Sequence, residues 1–194
     1  MTPQRSEKLL QVLHKRQSGL AVVMDNIEDP RNISAVMRSC DGVGIQDIYI
    51  LNTKTKREKK WSYKSSTSAT KWLTIHQFDD VDECASQLKH NYSNILTTHL
   101  SADAVSLYEL DLTKSTALIF GNERFGISDE IMNIATGNFI IPQVGIIQSL
   151  NISVACAVTI YEAFRQRNVK GMYHAPSLSE ERISALKQEW KFLE

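Results

Sequence analysis

The chain has 194 residues, of which 42% are hydrophobic and 23% are charged, and its 22 basic residues balance its 22 acidic residues. This composition is typical of one globular domain with a sizeable core, and zero net charge excludes a surface that is basic throughout. No apolar run approaches the ~20 residues that span a bilayer, and the charged N-terminal segment lacks the apolar stretch of a signal peptide. We therefore expect a cytoplasmic protein with no membrane span.

Strands and helices alternate in the predicted element order. Helices are predicted from helical spacing of apolar residues at 3–17, 32–44, 79–91, 128–135 and 178–193, the last with Ser177 and Glu180 as a capping box. Strands are predicted from short apolar runs at 20–25, 47–51, 94–100, 116–121 and 138–142. The apolar segment from Ile152 to Phe164 is longer than a typical buried strand and predicts a buried helix. This alternation indicates an α/β domain with a mostly parallel sheet.

Three polar clusters follow predicted strands. They contain Asn32 and Arg38, then Asn122 and Glu123, and finally Ser149 and Asn151. In open α/β sheets, ligands bind beyond the carboxyl ends of the strands, so the three clusters together indicate one site. Taken singly, each has an ordinary alternative, such as a helix N-cap or a solvated arginine. The sequence has no GxGxxG after a strand, no phosphate-binding P-loop and no HExxH or GxSxG motif, so common nucleotide-binding and hydrolase sites are excluded.

A basic segment, KTKREKKWSYK, runs from Lys54 to Lys64. Its cations could neutralise phosphates, and Trp61 and Tyr63 could stack on exposed bases. The alternative is a solvated loop whose aromatic side chains pack into the core. The three cysteines are far apart and form no CxxC pair, so neither a disulfide framework nor a metal site is predicted.

Three longer segments resemble, in order, the motifs of a known enzyme family. NIEDPRNISAVMRSCDGVGI, ALIFGNERFGIS and IIPQVGIIQSLNISVACAVTIYEAFRQR are similar to the three motifs of the SpoU (TrmH) family of S-adenosylmethionine-dependent RNA 2′-O-ribose methyltransferases, within the SPOUT superfamily. The flanking segments resemble those of members that methylate the D-loop guanosine of tRNA. This resemblance implies a SPOUT fold with helices on both faces of the sheet, a C-terminal trefoil knot and a homodimer. It divides the chain into an N-terminal helical extension (1–18), a knotted catalytic core (19–168) and a C-terminal helical extension (169–194).

The resemblance also implies roles for individual residues. The catalytic group would be Arg38, Asn32, Glu123, Ser149 and Asn151. The cofactor S-adenosylmethionine, which leaves as S-adenosylhomocysteine, would be held by Thr98, Leu100, Gly121, Ile141, Ile146 and Leu150. The tRNA would be bound by Lys8, Arg165, Arg167, Lys59 and Lys60. No metal ion is expected.

The chemistry that the resemblance implies is attack of a ribose 2′-oxygen on the sulfonium methyl group. The pKa of arginine lies above ~12, so we expect Arg38 to contact a phosphate and the 2′-oxygen and to stabilise the alkoxide. Whether it also accepts the proton is left open. Two alternatives are methylation of another tRNA position or of ribosomal RNA, and a non-catalytic RNA-binding relative.

Overall fold

The computed structural model describes residues 2–55, 69–99, 101, 103–147 and 149–192. The helices are α1 (Pro3–His14), α2 (Pro30–Val43), α3 (Val81–Asn91), α4 (Asp129–Met132), α5 (Ile152–Val169) and α6 (Glu180–Glu189). The strands are β1 (Gln17–Asp25), β2 (Ile45–Leu51), β3 (Thr74–Phe78), β4 (Asn94–Thr98), β5 (Val105–Ser106), β6 (Thr116–Phe120) and β7 (Gly137–Ile140). Of the residues named above, Lys59, Lys60, Trp61, Tyr63, Lys64 and Leu100 lie outside the described residues. None of the described helices is long and apolar enough to cross a membrane.

The strands form one sheet in the order β3-β2-β1-β6-β4-β7-β5, and every pair in it is parallel. The prediction of a mostly parallel sheet is therefore confirmed. Alternate residues of β1 face the two sides of the sheet. Leu20 and Val22 pack in the apolar cluster that contains α2 and α5. Ala21 and Val23 pack in the cluster that contains α3 and α4. Both faces of the sheet are thus covered by helices, as parallel sheets require. The trefoil knot stays a prediction, because strand order and pairing do not describe chain threading.

Two strands were not predicted from the sequence. Strand β3 carries the polar residues His76 and Gln77 and lies at one edge of the sheet, and β5 at the other edge has only 2 residues. Neither provides the apolar run that identifies a buried strand. Helix α4 is also shorter than predicted, with 4 residues.

The terminal helices α1 and α6 pack against each other beside the sheet. Leu13 of α1 lies in one apolar cluster with Leu186 and Trp190, and the Trp190 ring lies 5.2 Å from that of Trp72. Arg16 is fully buried beneath them, where it contacts the Asp41 carboxylate at 2.6 Å. Helices α1 and α6 are therefore held together by a shared apolar cluster.

The predicted capping box of the C-terminal helix is wrong. Ser179 is the N-cap of α6, and its hydroxyl accepts a hydrogen bond from the Arg182 amide at 3.2 Å. Ser177 instead donates to the Arg16 carbonyl at 2.8 Å and accepts from the Ser18 amide at 2.9 Å. The Ser177 hydroxyl therefore links the segment before α6 to the start of β1.

Candidate active site

A cavity of about 510 Å³ lies beyond the carboxyl ends of the central strands. Its walls come from the segments that follow β4, β6 and β7 and from the first turn of α5. Among the residues that line it are Thr98, Gly121, Glu123, Ile141, Ser149, Leu150 and Asn151. The polar residues that follow β6 and β7 in the sequence therefore meet at one place. The volume lies within the ~300–1,000 Å³ range of small-molecule sites.

Two amides and one carboxylate form a hydrogen-bonded cluster at the edge of this cavity. The Asn32 Nδ2 donates to Glu123 Oε1 at 2.6 Å, and the Asn151 Nδ2 donates to the same oxygen at 3.2 Å. Asn151 Nδ2 also donates to Asn32 Oδ1 at 3.2 Å. An ionised carboxylate only accepts hydrogen bonds, so both amides present their nitrogens to Glu123. We call these three residues the amide–carboxylate cluster.

Asn151 has a second task, because it is the N-cap of α5. Its Oδ1 accepts hydrogen bonds from the Ser153 amide at 2.9 Å and from the Ser153 hydroxyl at 2.6 Å. One side chain thus begins the buried helix with its oxygen and reaches Glu123 with its nitrogen. The Glu123 carboxylate lies near the N-terminus of α5, where the helix dipole favours negative charge. This explains why a polar residue stands where an apolar helix begins.

Glu123 is carried by a tight loop after β6. Asn122 and Gly126 exchange two backbone hydrogen bonds of 2.8 Å each, and Gly126 has φ of 70°, a conformation that favours glycine. A Cβ atom added to Gly121 would lie 2.5 Å from the backbone of Gly126, so the two ends of the loop approach as closely as glycine allows. The Asn122 Oδ1 accepts from the Arg124 amide at 2.8 Å. The loop therefore holds the Glu123 backbone in one conformation.

Arg38 is exposed on α2, and no described residue forms a hydrogen bond or ion pair with it. The structure therefore does not join Arg38 to the amide–carboxylate cluster, although Asn32 lies on the first turns of the same helix. Ser149 lines the cavity and is exposed. Arg38 thus has all five N–H donors available for an incoming group.

Four of the six residues predicted to hold the cofactor line the cavity, namely Thr98, Gly121, Ile141 and Leu150. Ile146 does not line it, and its side chain is fully exposed. The described residues contain no group of three or more potential metal ligands.

The residues predicted to bind RNA differ in their surroundings. Lys8 is exposed on α1 without a described partner. Arg165 is exposed, and its Nε and Nη2 donate to the two carboxylate oxygens of Glu162 at 2.8 and 2.7 Å. This pairing uses one edge of the guanidinium, so the other edge faces solvent. The Arg165 guanidinium also holds the pKa of Glu162 below its ordinary value.

The assignment of Arg167 to RNA binding is wrong, because its side chain is buried. Only 1% of Arg167 is exposed, and its guanidinium donates to the carbonyls of Leu112, Gly19 and Lys114 at 2.9, 2.6 and 2.9 Å. A fourth bond joins its Nη1 to the Gln17 Oε1 at 3.2 Å. Residues two positions apart lie on nearly opposite sides of a helix. Arg165 therefore points to solvent, whereas Arg167 points into the protein.

The sequence reasoning missed Asp25 and Asn26, which lie at the end of β1. Both are almost fully buried, and both bond to the loop that carries Glu123. The sequence does contain a sign of them, because the segment MDN places two polar residues at the end of an apolar strand.

Comparison with known proteins places this architecture in one family. The family model described as the SpoU rRNA Methylase family matches residues 19–161. This chain therefore belongs to the SpoU rRNA methylase family. The tRNA (guanosine(18)-2′-O)-methyltransferase of Aquifex aeolicus is 40% identical over 97% of this chain and 89% of its own length.

Solved structures agree with this assignment. The crystal structure of the A. aeolicus TrmH/SpoU tRNA modifying enzyme superposes with a TM-score of 0.89, at 40% identity, and covers 97% of this chain and 95% of its own. The SpoU methyltransferase AviRb from Streptomyces viridochromogenes, solved in complex with the cofactor AdoMet, superposes with a TM-score of 0.70 at 25% identity, over 82% of this chain and 62% of its own.

Proposed function

We propose that this protein transfers a methyl group from S-adenosylmethionine to the ribose 2′-hydroxyl of guanosine 18 in tRNA. The observation that carries the proposal is the amide–carboxylate cluster at the edge of the cavity. The name of the A. aeolicus relative supplies the substrate, since the two chains match over nearly their whole lengths. A substrate in the tRNA pool agrees with a cytoplasmic location.

S-Adenosylmethionine supplies an electrophilic methyl group when it is bound. The cavity suits it, because backbone groups at Thr98, Gly121 and Ile141 can recognise the adenosine edges while Leu150 and Ile141 provide apolar contact. The AviRb complex supports this choice of cofactor within the family.

The residues of the chain act mainly by positioning. Asn32 and Asn151 hold the Glu123 carboxylate at the edge of the cavity, and Ser149 adds a hydroxyl on the same side. When the ribose 2′-oxygen is already held against the methyl donor, little further ordering is needed to reach the transition state. This positioning supplies a large part of the rate enhancement. The permanently charged Arg38 would bind the substrate phosphate and stabilise negative charge as it develops on the 2′-oxygen.

RNA would approach along the exposed cations. Lys8 on α1 and the outer edge of the Arg165 guanidinium can each bind a phosphate. Lys59 and Lys60 join this group on the basis of the sequence alone. Bidentate phosphate binding is available to Arg165 but not to Lys8.

A homodimer completes the proposal. Large apolar side chains are exposed beside the cavity and along α5, where Val144 and Ile147 precede the helix and Val154 and Tyr161 lie two turns apart on it. Several large apolar side chains exposed on one helix and on the segment before it favour an interaction site, and a second copy of this chain would cover it. Sedimentation analysis of the wild type and of Val154→Glu tests this, because the charge should convert a dimer into monomers.

The test of the function is transfer of a labelled methyl group to unmodified tRNA, followed by mapping of the modified nucleotide. Wild type and Arg38→Ala are compared with Arg31→Ala, a matched control because Arg31 is exposed on the same helix but is engaged by Asp29 at 2.8 Å. Label on guanosine 18 that is lost in Arg38→Ala and retained in Arg31→Ala is expected. Label on another nucleotide would overturn the substrate. Absence of label despite binding of S-adenosylhomocysteine would identify a non-catalytic RNA-binding relative.

A further inference from the structure

Asn26, at the end of β1, has an unusual backbone for a residue other than glycine. Its φ is 55°, and only 4% of the residue is exposed. Asparagine adopts this left-handed conformation more readily than most residues, although it remains uncommon. The conformation turns the chain sharply after the strand and directs the Asn26 side chain and its carbonyl toward two different loops.

The side chain of Asn26 holds the segment that follows β2. Its Oδ1 accepts a hydrogen bond from the Lys54 amide at 2.7 Å, and its Nδ2 donates to the Thr53 hydroxyl at 3.1 Å and to Asp25 Oδ1 at 2.7 Å. Lys54 is exposed, has no described side-chain partner and is the first cation of the basic segment. The backbone of that cation is therefore fixed by a buried amide.

The carbonyl of Asn26 holds the loop that carries Glu123. It accepts a hydrogen bond from the Asn122 Nδ2 at 2.7 Å. On the far side of the same loop, the Asp25 Oδ2 accepts from the Ser128 amide at 2.8 Å and from the Ser128 hydroxyl at 2.9 Å. Asn26 and Asp25, at the end of β1, thus hold the two ends of the Glu123 loop.

We propose that Asn26 is a positioning residue, which holds Lys54 and the Glu123 loop in one fixed arrangement so that RNA bound at the cation is presented to the amide–carboxylate cluster. The inference rests on the proposed function. Its physical basis is that two separate groups of one residue bond to the two loops: the side chain to Thr53 and Lys54, and the carbonyl to Asn122. The side chain should govern RNA binding, and the carbonyl should govern the chemical step.

The variant that isolates the side chain is Asn26→Gly. Glycine accepts a positive φ and keeps the carbonyl that receives the Asn122 bond, but it releases Thr53, Lys54 and one oxygen of Asp25. The complementary variant is Asn122→Ala, which removes the bond to the Asn26 carbonyl and the two bonds that Asn122 Oδ1 accepts within the loop, and leaves the bonds from Asn26 to Lys54 intact. Asn52→Ala is the matched control, because Asn52 is a buried asparagine of the same segment whose side chain bonds only to Thr55 among the described residues.

The measurements are the dissociation constant of tRNA in the presence of S-adenosylhomocysteine, which needs no turnover, and kcat for methyl transfer. For Asn26→Gly we expect a dissociation constant about tenfold higher, since one freed residue must be ordered again on binding, with kcat within about twofold of wild type. For Asn122→Ala we expect a kcat that is about ten- to a hundredfold lower with little change in binding. Asn52→Ala should resemble the wild type in both. Melting temperatures confirm that each variant is folded under the assay conditions.

Equal tRNA binding by Asn26→Gly and wild type would overturn the inference, as would the same combined loss of binding and kcat in Asn26→Gly and Asn122→Ala. If Asn26→Gly does not fold, Thr53→Val carries the test, because Thr53 is an exposed partner of Asn26 and its loss should weaken RNA binding in the same direction. A wild-type enzyme without methyl transfer contradicts the proposed function, whereas an active wild type with unaltered Asn26→Gly contradicts only this inference.

Discussion

Replacement of Arg167 by methionine should destabilise the fold while leaving the RNA-binding surface intact. Methionine fills much of the volume but cannot donate the four hydrogen bonds that the guanidinium makes to Leu112, Gly19, Lys114 and Gln17. Three backbone carbonyls would then lose a charged donor inside the protein. Each buried acceptor left unsatisfied costs about 1–3 kcal/mol, so losing these donors together should lower the unfolding free energy by about 3–5 kcal/mol. For a chain of this size, that corresponds to a melting temperature lower by roughly 6–20 °C.

Thermal unfolding followed by circular dichroism measures this change, and Arg165→Ala is the control on the same helix. The Arg165 side chain is 64% exposed, so its pairing with Glu162 should contribute about 1 kcal/mol to stability, and Arg165→Ala should melt near the wild-type temperature but bind tRNA more weakly. An Arg167→Met protein that melts like the wild type and has lost tRNA affinity would refute the assignment of Arg167 to the core.

Three further predictions concern the site and its helix. Asn151→Ser should retain the α5 cap and unfold within about 0.5 kcal/mol of wild type, yet lose about a hundredfold in single-turnover methyl transfer, because serine cannot reach Glu123. Gly121→Ala should cost about 1–3 kcal/mol in urea unfolding, because its Cβ would lie 2.5 Å from the Gly126 backbone. The Arg165 guanidinium lowers the pKa of Glu162, so wild type should be more stable than Glu162→Gln above the ordinary value of 4.5, and unfolding at decreasing pH should show this advantage disappear as the pH falls through the depressed pKa.

Each of these predictions has an outcome that contradicts it. Full methyl transfer by Asn151→Ser would remove Asn151 from the chemistry and leave it as a cap alone. Wild-type stability of Gly121→Ala would mean that the Glu123 loop can move away from β6. A stability difference between Glu162→Gln and wild type that grows toward low pH would reverse the sign of the linkage.

Local pattern determined the elements that bury apolar side chains. The runs at 20–25 and 116–121 became the central strands β1 and β6, and the long apolar segment that begins at Ile152 became α5. Burial is decided by the periodicity of neighbouring residues, so it can be read along the chain. The edge strands β3 and β5 were not predicted, because a polar or very short edge strand has no apolar run.

The resemblance to the SpoU family named Asn32, Glu123 and Asn151, and the structure places them in one cluster. Their hydrogen-bond geometry could not be predicted, because Asn32 and Glu123 lie 91 residues apart and Asn32 and Asn151 lie 119 apart. The double use of Asn151, as a helix cap and as a donor to Glu123, follows only from the distance between α5 and the loop after β6.

By itself, the sequence determined the parallel α/β layering and the polar strand ends, since both depend on which residue types stand next to one another. The tertiary structure alone decided which polar groups meet. Arg165 and Arg167 are the same residue type two positions apart, yet one faces solvent and the other donates to carbonyls that are 53 to 148 residues away. The physical reason is that a charged side chain is buried only where the folded chain supplies acceptors, and those acceptors come from distant segments.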